Sequence, residues 1–317
     1  MIGELAVFYL FLGGTGAGAI AACALADLLF VRRSFGTSGH VHTPSVDPAI
    51  RTIDYGYVIG LILLVMGIAC LILDLGRADR VLSLFLSPTF SVMSVGAYVL
   101  LLLLIVGAFL TLTSLLYLPQ ISRGLVSAVE IAATILGVAA MVYTGLLLAT
   151  TGGVALWWSP FLPLLFLFSS ASSGIAVVLI VSVLAGGDRR TAQPTALRRH
   201  LIRADVVIII LEALCAAAYV WESLRDPNPG TAAGIHLLLQ GRAALAWWLG
   251  FGVCGLLIPL AAESVAIGTR APVLAAVALA AVLVLVGAFC LRWSIVDAGV
   301  LREAVLEEPG YEYPFWN

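Results

Sequence analysis

The chain has 317 residues, of which 62% are hydrophobic and only 11% charged, and its formal net charge is −2. Soluble proteins carry about 25% charged residues, so this composition excludes a water-soluble globular protein. It also lacks the basic excess that accompanies nucleic-acid binding, and we expect no nucleic-acid partner. A lipid membrane is the expected environment.

Eight apolar runs follow one another along the sequence, and each reaches the roughly 20 residues that a helix needs to cross the hydrocarbon core. The runs cover residues 4–31, 53–73, 91–117, 125–150, 161–185, 201–224, 243–267 and 272–293. They do not alternate between polar and apolar residues as β-barrel strands do, and lipid-exposed backbone must bond internally. The sequence therefore predicts an all-α integral membrane protein with eight transmembrane helices.

The first run contains Gly13-Gly14-Thr15-Gly16-Ala17-Gly18. A phosphate-binding loop would need a strand before these glycines and a helix after them, whereas they lie inside a predicted span. Small residues four apart, such as Gly14 and Gly18, favour close approach by a neighbouring helix. The serine-rich stretch 169–174 in the fifth run has the same property. No basic segment precedes the first run, so a cleaved signal peptide is not expected.

Polar residues collect at one end of the first four runs. The second run ends in Asp74-Leu75-Gly76-Arg77-Ala78-Asp79-Arg80, which is either a solvated helix end or the rim of a site. Tyr143 lies about two turns before the end of the fourth run, either as an interfacial residue or inside a pocket. Antiparallel runs would gather Glu4, Tyr9, Asp74, Arg77, Ser91, Met93 and Tyr143 on one side.

A second group of polar residues lies deeper in the runs, and it consists of Glu130, Asp205, Glu212 and Glu263. A charge at mid-bilayer costs at least about 2.5 kcal/mol, so each should be protonated, paired or in contact with water. These carboxyl groups either relay protons from the cytoplasm or serve as protonated hydrogen-bonding groups between helices.

The arginines predict the topology, because cytoplasmic loops are enriched in positive charge and this protein has no lysine. The side of the first connection carries Arg32, Arg33, Arg51, Arg123, Arg189, Arg190, Arg198, Arg199, Arg203 and Arg270. The opposite side carries Arg77, Arg80, Arg225, Arg242, Arg292 and Arg302. Both termini of a protein in the cytoplasmic membrane are therefore predicted to be extracytoplasmic. The seven tryptophans fall on this outer side, as a one-sided belt or a docking face.

Cysteine and histidine give no sign of a metal or haem site. The five cysteines occur singly within runs, and the histidines His40, His42, His200 and His236 lie in loops or at span edges. Metal sites need clustered ligands, and a membrane haem needs a mid-span axial ligand. We expect neither haem, metal nor an iron–sulfur cluster in this protein.

Five stretches resemble the NrfD/PsrC family, the membrane subunits of polysulfide reductase and related complex iron–sulfur molybdoenzymes. They are Phe8-Tyr9-Leu10-Phe11-Leu12-Gly13-Gly14, Asp74-Leu75-Gly76-Arg77 with the stretch 91–97, Tyr143-Thr144-Gly145-Leu146-Leu147, Ser159-Pro160 with the stretch 162–166, and Leu291-Arg292-Trp293-Ser294-Ile295-Val296 with Ala298-Gly299. They occur in family order along the whole sequence. The best-known member has an Asn and a His in its first span. The corresponding positions in this protein lie near Glu4 and Phe8, so Glu4 could replace one polar contact but the histidine is missing.

The resemblance implies two antiparallel four-helix bundles, at 1–151 and 152–293, followed by an extracytoplasmic tail at 294–317. It implies a menaquinone or ubiquinone site in the first bundle, with Tyr143 bonding a quinone carbonyl and Asp74 nearby; Glu4, Tyr9 and Arg77 complete the predicted site. The implied partners are an extracytoplasmic ferredoxin-like iron–sulfur subunit and a molybdopterin catalytic subunit. The protein would exchange electrons between the quinone pool and these partners, without catalysis by itself.

A proton-conducting channel or a secondary transporter without redox partners is the alternative function. Transporters often have matching Gly or Pro interruptions in two halves of the sequence. Pro163 and Pro259 interrupt two runs, but the halves show no convincing repeat. A purely structural anchor would not need carboxyl groups inside the membrane.

Overall fold

The computed structural model describes residues 4–31, 48–74, 92–116, 122–150, 153–185, 196–268 and 274–299, and within these ranges the regular secondary structure is entirely helical. The α-helices are α1 Glu4–Ala26, α2 Pro48–Asp74, α3 Val92–Leu115, α4 Arg123–Ala149, α5 Phe161–Leu184, α6 Ala196–Arg225, α7 Pro229–Leu239, α8 Ile258–Gly268 and α9 Leu274–Gly299. A π-helical turn, Asp27–Val31, extends α1, and a π-helix, Ala246–Leu257, leads directly into α8.

Seven helical segments in these ranges are long and apolar enough to cross a membrane: Leu5–Phe30, Pro48–Asp74, Val92–Leu115, Gly124–Ala149, Phe161–Leu184, Ala246–Gly268 and Leu274–Gly299. They correspond to seven of the eight predicted runs. The run at 201–224 lies in α6, which carries seven charged residues along its 30 positions. The predicted all-helical membrane fold is confirmed, whereas eight spans in two bundles remain a prediction.

Glycines set how closely α1 and α2 pack. A side chain at Gly67 would meet the backbone of Gly13, and one at Gly56 would meet Cys23. Higher residue numbers on α2 meet lower residue numbers on α1, so the two helices run antiparallel. The start of α1 therefore lies beside the end of α2, and we call this end of the molecule the outer end, after its predicted side.

The close approach predicted from Gly14 and Gly18 is confirmed. A side chain at Gly18 would run into the backbone of Ser170 on α5, and one at Gly174 would run into Gly18. Because α1 also packs extensively against α2 and α4, it lies at the centre of the molecule. Helix α5 is in contact with both halves of the protein.

The helix change before α8 coincides with a proline. The π-helix ends at Leu257, and Ile258 bonds back five residues to the carbonyl of Val253. Pro259 follows, and proline supplies no backbone N–H and crowds the preceding turn, so a widened turn before it relieves the helix. Gly255 and Gly287 let this segment lie close to α9.

Candidate functional site: two tyrosines and a buried polar row

Two tyrosines meet at the outer end of the first half. Tyr9 on α1 is 1% exposed and Tyr143 on α4 is 5% exposed. Their phenol groups face each other within reach of a hydrogen bond. The Tyr9 hydroxyl nevertheless has no partner with normal hydrogen-bond geometry among the described atoms. Two hydroxyl donors therefore sit together in an apolar setting, and one of them is not fully used.

A glycine on α3 makes room for the Tyr143 ring. A side chain at Gly96 would overlap the ring of Tyr143. The backbone of α3 thus forms one wall of the tyrosine site, and α1 supplies the opposite hydroxyl. The sequence predicted only that the start of α3 and Tyr143 lie on the same side of the membrane. The structure shows that they are in direct contact.

The structure describes only some of the other predicted quinone residues. Asp74 is the last residue of α2 and is exposed. The side chain of Glu4 and the whole of Arg77 lie outside the described residues. Phe8 is 41% exposed and packs on Phe289 of α9, with ring centroids 5.4 Å apart. It therefore does not point into the tyrosine site, where Tyr9 is the α1 residue that contributes.

Arg292 on α9 is fully buried between three helices. Its Nε donates to the Leu10 carbonyl at 3.1 Å, and its Nη2 donates to Ser170 Oγ at 2.7 Å. Its Nη1 donates to Ser169 Oγ at 3.2 Å and to the Ala288 carbonyl at 2.6 Å. A buried charge is tolerated when its donors are bonded in this way. Arg292 thereby links α1, α5 and α9 beside Tyr9.

Ser169 of α5 lies between the guanidinium of Arg292 and the carboxyl group of Glu212 on α6. Ser169 accepts from Arg292 and faces the carboxyl group of Glu212, which is 4% exposed. The rings of Phe166 and Phe11 lie 5.3 and 5.9 Å from the guanidinium carbon. A positive charge, a hydroxyl and a carboxyl group therefore form a continuous series in an apolar part of the membrane domain.

Further towards the inner end, Asp205 on α6 faces Ser172 on α5 and Glu263 on α8. All three side chains are at most 1% exposed. Beyond them, Arg198 donates to Ser182 Oγ at 3.1 Å and to the Ser182 carbonyl at 2.8 Å. The polar row therefore runs along α5 and α6 from Arg292 to Arg198.

The four predicted carboxyl groups are not all in one place. Asp205, Glu212 and Glu263 lie on α6 and α8, in the polar row. Glu130 is fully buried but lies on α4, in the first half of the protein. A separate hydroxyl pair, Thr15 Oγ1 and Ser173 Oγ at 3.0 Å, joins α1 to α5.

The tryptophans divide into two groups. Trp157 and Trp247 are buried, and Trp157 donates to the Ile295 carbonyl at 3.0 Å. Trp158, Trp221, Trp248 and Trp293 are exposed, and Trp316 lies outside the described residues. A cavity of about 440 Å³ lies between Trp158 and Trp221 at the outer end. Exposed rings at one end fit either a belt or a docking face.

Sequence reasoning missed Arg292 as an internal residue. The last run was predicted to end at 293, so Arg292 was counted among the charges of the outer side, whereas α9 continues to Gly299. The arginine therefore lies about two turns inside the helix, and it does not belong in the loop charge count. The signal was available, since Ser294-Ile295-Val296 and Ala298-Gly299 continue the apolar pattern beyond it.

Seven described helical segments are long and apolar enough to cross a membrane, and ionisable side chains are buried between helices. These features define a multi-pass membrane protein. The family model described as "Polysulphide reductase, NrfD" matches residues 2–304. The protein therefore belongs to the NrfD family, as its five motifs had predicted.

Three relatives show the same similarity. The protein is 27% identical over 315 residues to "Protein NrfD homolog" of Haemophilus influenzae, covering 93% of each sequence. It is 28% identical over 306 residues to the C subunit of polysulfide reductase of Wolinella succinogenes, covering 92% of each. It is 32% identical over 190 residues to "Protein NrfD" of Escherichia coli, covering 59% of this sequence and 56% of the relative.

Proposed function

We propose that this protein is the quinone-binding membrane subunit of an oxidoreductase complex. It would exchange electrons between the membrane quinone pool and an iron–sulfur partner subunit, which in turn serves a molybdopterin catalytic subunit on the extracytoplasmic face. The observation that carries the proposal is the buried Tyr9–Tyr143 pair at the outer end of the first half. A relative of matching length, named as a subunit of polysulfide reductase, supports it.

The residues at the tyrosine pair suit a quinone. A quinone headgroup is flat and apolar, has two carbonyl acceptors, and takes up two electrons and two protons. Tyr143 and Tyr9 offer hydroxyl donors, and the Tyr9 hydroxyl lacks a partner of normal geometry among the described atoms. A buried donor without a partner is costly, so a carbonyl acceptor placed there would be stabilising. Tyr143 would donate to the quinone carbonyl.

Residues near the rim would move protons. Asp74 is exposed at the end of α2, and together with Glu4 it would exchange protons with the outer water. Arg77 would pair with the Asp74 carboxylate or with the partner subunit. These three residues and the tyrosine pair together form the proposed quinone site.

The proposed topology has eight spans in two four-helix bundles, with both termini extracytoplasmic in the cytoplasmic membrane. Helix α6 packs along α5, through Arg198 to Ser182 near one end and through Glu222 to Ser159, just before α5, at the other. At 30 residues it is about 45 Å long, which exceeds the thickness of the hydrocarbon core. We therefore propose that α6 crosses together with α5.

The buried carboxyl groups would carry protons from the cytoplasm. Glu263, Asp205 and Glu212 follow one another along α8 and α6 towards Arg292, whose neighbour Leu10 adjoins Tyr9. Glu130 would serve the first half. The same polar row is also the observation that supports the alternative function, a proton-conducting channel without redox partners. Proton conductance of the purified protein in vesicles without quinone would favour the channel.

The test of the tyrosine site is quinone affinity. Tyr143→Phe removes one hydrogen bond to a neutral carbonyl, which is worth about 0.5–1.5 kcal/mol, so affinity should fall several-fold to about tenfold. Binding of a photoreactive quinone analogue to the purified protein measures it. Tyr55→Phe, an exposed tyrosine near the other end of α2, is the matched control and should bind as the wild type does. Equal labelling of all three proteins would place the site elsewhere.

A further inference from the structure

Three helices bring oxygen atoms together at the inner half of the polar row. Asp205 of α6 and Glu263 of α8 face each other, and Ser172 of α5 faces Asp205. Asp205 is 0% exposed, and Ser172 and Glu263 are each 1% exposed. Both oxygens of each carboxyl group, and the Ser172 hydroxyl, lack a hydrogen bond of normal geometry to the described atoms. The cluster therefore has acceptors that are buried and unused.

The charges around the cluster do not neutralise it. Along α6 the next ionisable group towards the outer end is Glu212, a further carboxyl group that supplies no positive charge, and Arg292 of α9 is bonded on the far side of Glu212, at Ser169. Towards the inner end, Arg203 on α6 is exposed, whereas Asp205 is buried, and Arg198 lies two turns away and donates to Ser182 of α5. On α8 the facing ionisable group is Glu263 itself. Two adjacent ionised carboxylates in an apolar interior repel each other strongly, so the cluster requires a bound cation.

We propose that Asp205 and Glu263 bind one proton between them, as a carboxyl–carboxylate pair whose Asp205 member is oriented by Ser172. The protonated carboxyl donates to an oxygen of its ionised neighbour, and such charge-assisted hydrogen bonds are short and strong. No bond other than the O–H bond forms or breaks when the proton enters from the cytoplasmic side or leaves towards Glu212. The binding of a proton by the pair is a property of this protein alone. The role of the pair in transferring protons towards the quinone site rests on the proposed function.

A proton suits this cluster better than a metal ion. Among the described residues, three side chains face one another in this cluster, and no group of three or more His, Cys, Asp or Glu residues there could hold a metal. Hard cations are held by many oxygens, about six to eight for Ca²⁺, which is more than these three side chains offer. A proton needs only two oxygens, which the facing carboxyl groups supply.

Carbodiimide labelling tests the proposal. Dicyclohexylcarbodiimide is apolar and reacts with protonated carboxyl groups inside membrane proteins. Applied to the intact protein in lipid vesicles at neutral pH and followed by peptide mass spectrometry, it should modify Asp205 or Glu263, with one label per pair. Sodium ions added at constant pH should leave this labelling unchanged. Protection by sodium, or no label on either residue, would overturn the proposal.

Variants test the coupling between the two carboxyl groups. In the Asp205→Asn protein the neighbouring negative charge is gone, so labelling of Glu263 should be lost at a pH lower by about one unit or more than in the wild type. Glu222→Gln, on the same helix but bonded to Ser159 at the outer end, is the matched control and should not shift the profile. The same pH profile in Asp205→Asn and in the wild type would contradict a shared proton. A wild-type protein that shows the expected labelling but does not bind quinone would instead contradict only the proposed function.

Discussion

At the scale of single residues, Arg292 and Arg242 use the same guanidinium group in opposite settings. Arg292 is 0% exposed and makes four hydrogen bonds, to Leu10, Ser169, Ser170 and Ala288. Arg242 forms a 3.0 Å ion pair with Asp297, but its own side chain is 51% exposed. Exposed ion pairs contribute little because water competes for both partners. The stability of the fold should therefore depend on Arg292 far more than on Arg242.

Arg292→Gln should lower the free energy of unfolding by about 3–5 kcal/mol, because it removes one partner from a buried, charged network. Arg242→Gln should cost at most about 1 kcal/mol. Thermal unfolding of the two purified variants in detergent measures the difference. Melting temperatures that fall by the same amount would mean that the buried network does not hold α1, α5 and α9 together.

The sequence identifies the chemistry of the polar residues but not which of them meet. It marks Tyr9, Tyr143 and the deep carboxyl groups, because polar groups in apolar runs are costly and easily seen. It could not pair Asp205 with Glu263, since that contact depends on the rotation of α6 and α8 about their axes. It also could not bring Gly96 to the ring of Tyr143, because a glycine in an apolar run has many possible neighbours.

At the scale of helices, glycines decide which pairs approach closely. Without a strong hydrophobic force between helices in lipid, backbone proximity and packing supply much of the association energy. Gly18 touches the backbone of α5 at Ser170 and Gly174, so α1 and α5 have no space for a side chain between them. Gly124, near the start of α4, has open space around it. The small-residue pattern allowed the first contact to be predicted, although the identity of the partner helix came from the structure.

Gly18→Ala should destabilise the protein by about 1–3 kcal/mol, because the added methyl group forces α1 away from α5. Gly124→Ala should instead leave stability unchanged or raise it by up to about 1 kcal/mol, because alanine is the better helix former. Folded yield and melting temperature in detergent compare the two. A Gly18→Ala protein as stable as Gly124→Ala would show that the close approach of α1 and α5 is not needed.

At the scale of the whole molecule, the number of membrane crossings, seven or eight, depends on α6. Composition and run length predicted the membrane class and seven of the spans, since these depend only on local apolarity. Helix α6 differs because its charged residues are spread along it, and their cost depends on burial between helices, which sequence alone does not give. Asp205 and Glu212 are in fact buried there.

Reporter fusions resolve the crossing of α6. A reporter active only in the cytoplasm, placed in the connection 186–195, should be active, and the same reporter placed after Asp226 or after Asn317 should be silent. This follows from the predicted arginine bias and from α6 lying antiparallel along α5. Activity at both 186–195 and 226 would mean that α6 does not cross, and activity after Asn317 would reverse the proposed docking face.

The most direct measurement for the central claim is quinol-driven reduction of the iron–sulfur partner in the assembled complex, followed by electron paramagnetic resonance. The Tyr9→Phe, Tyr143→Phe double variant loses both buried hydroxyl donors, so the rate at subsaturating quinol should fall by about tenfold or more. Tyr55→Phe should reduce the clusters at the wild-type rate, and complex assembly is checked separately for each protein. An assembled double variant that reduces the clusters as fast as the wild type would contradict a quinone site at the tyrosine pair.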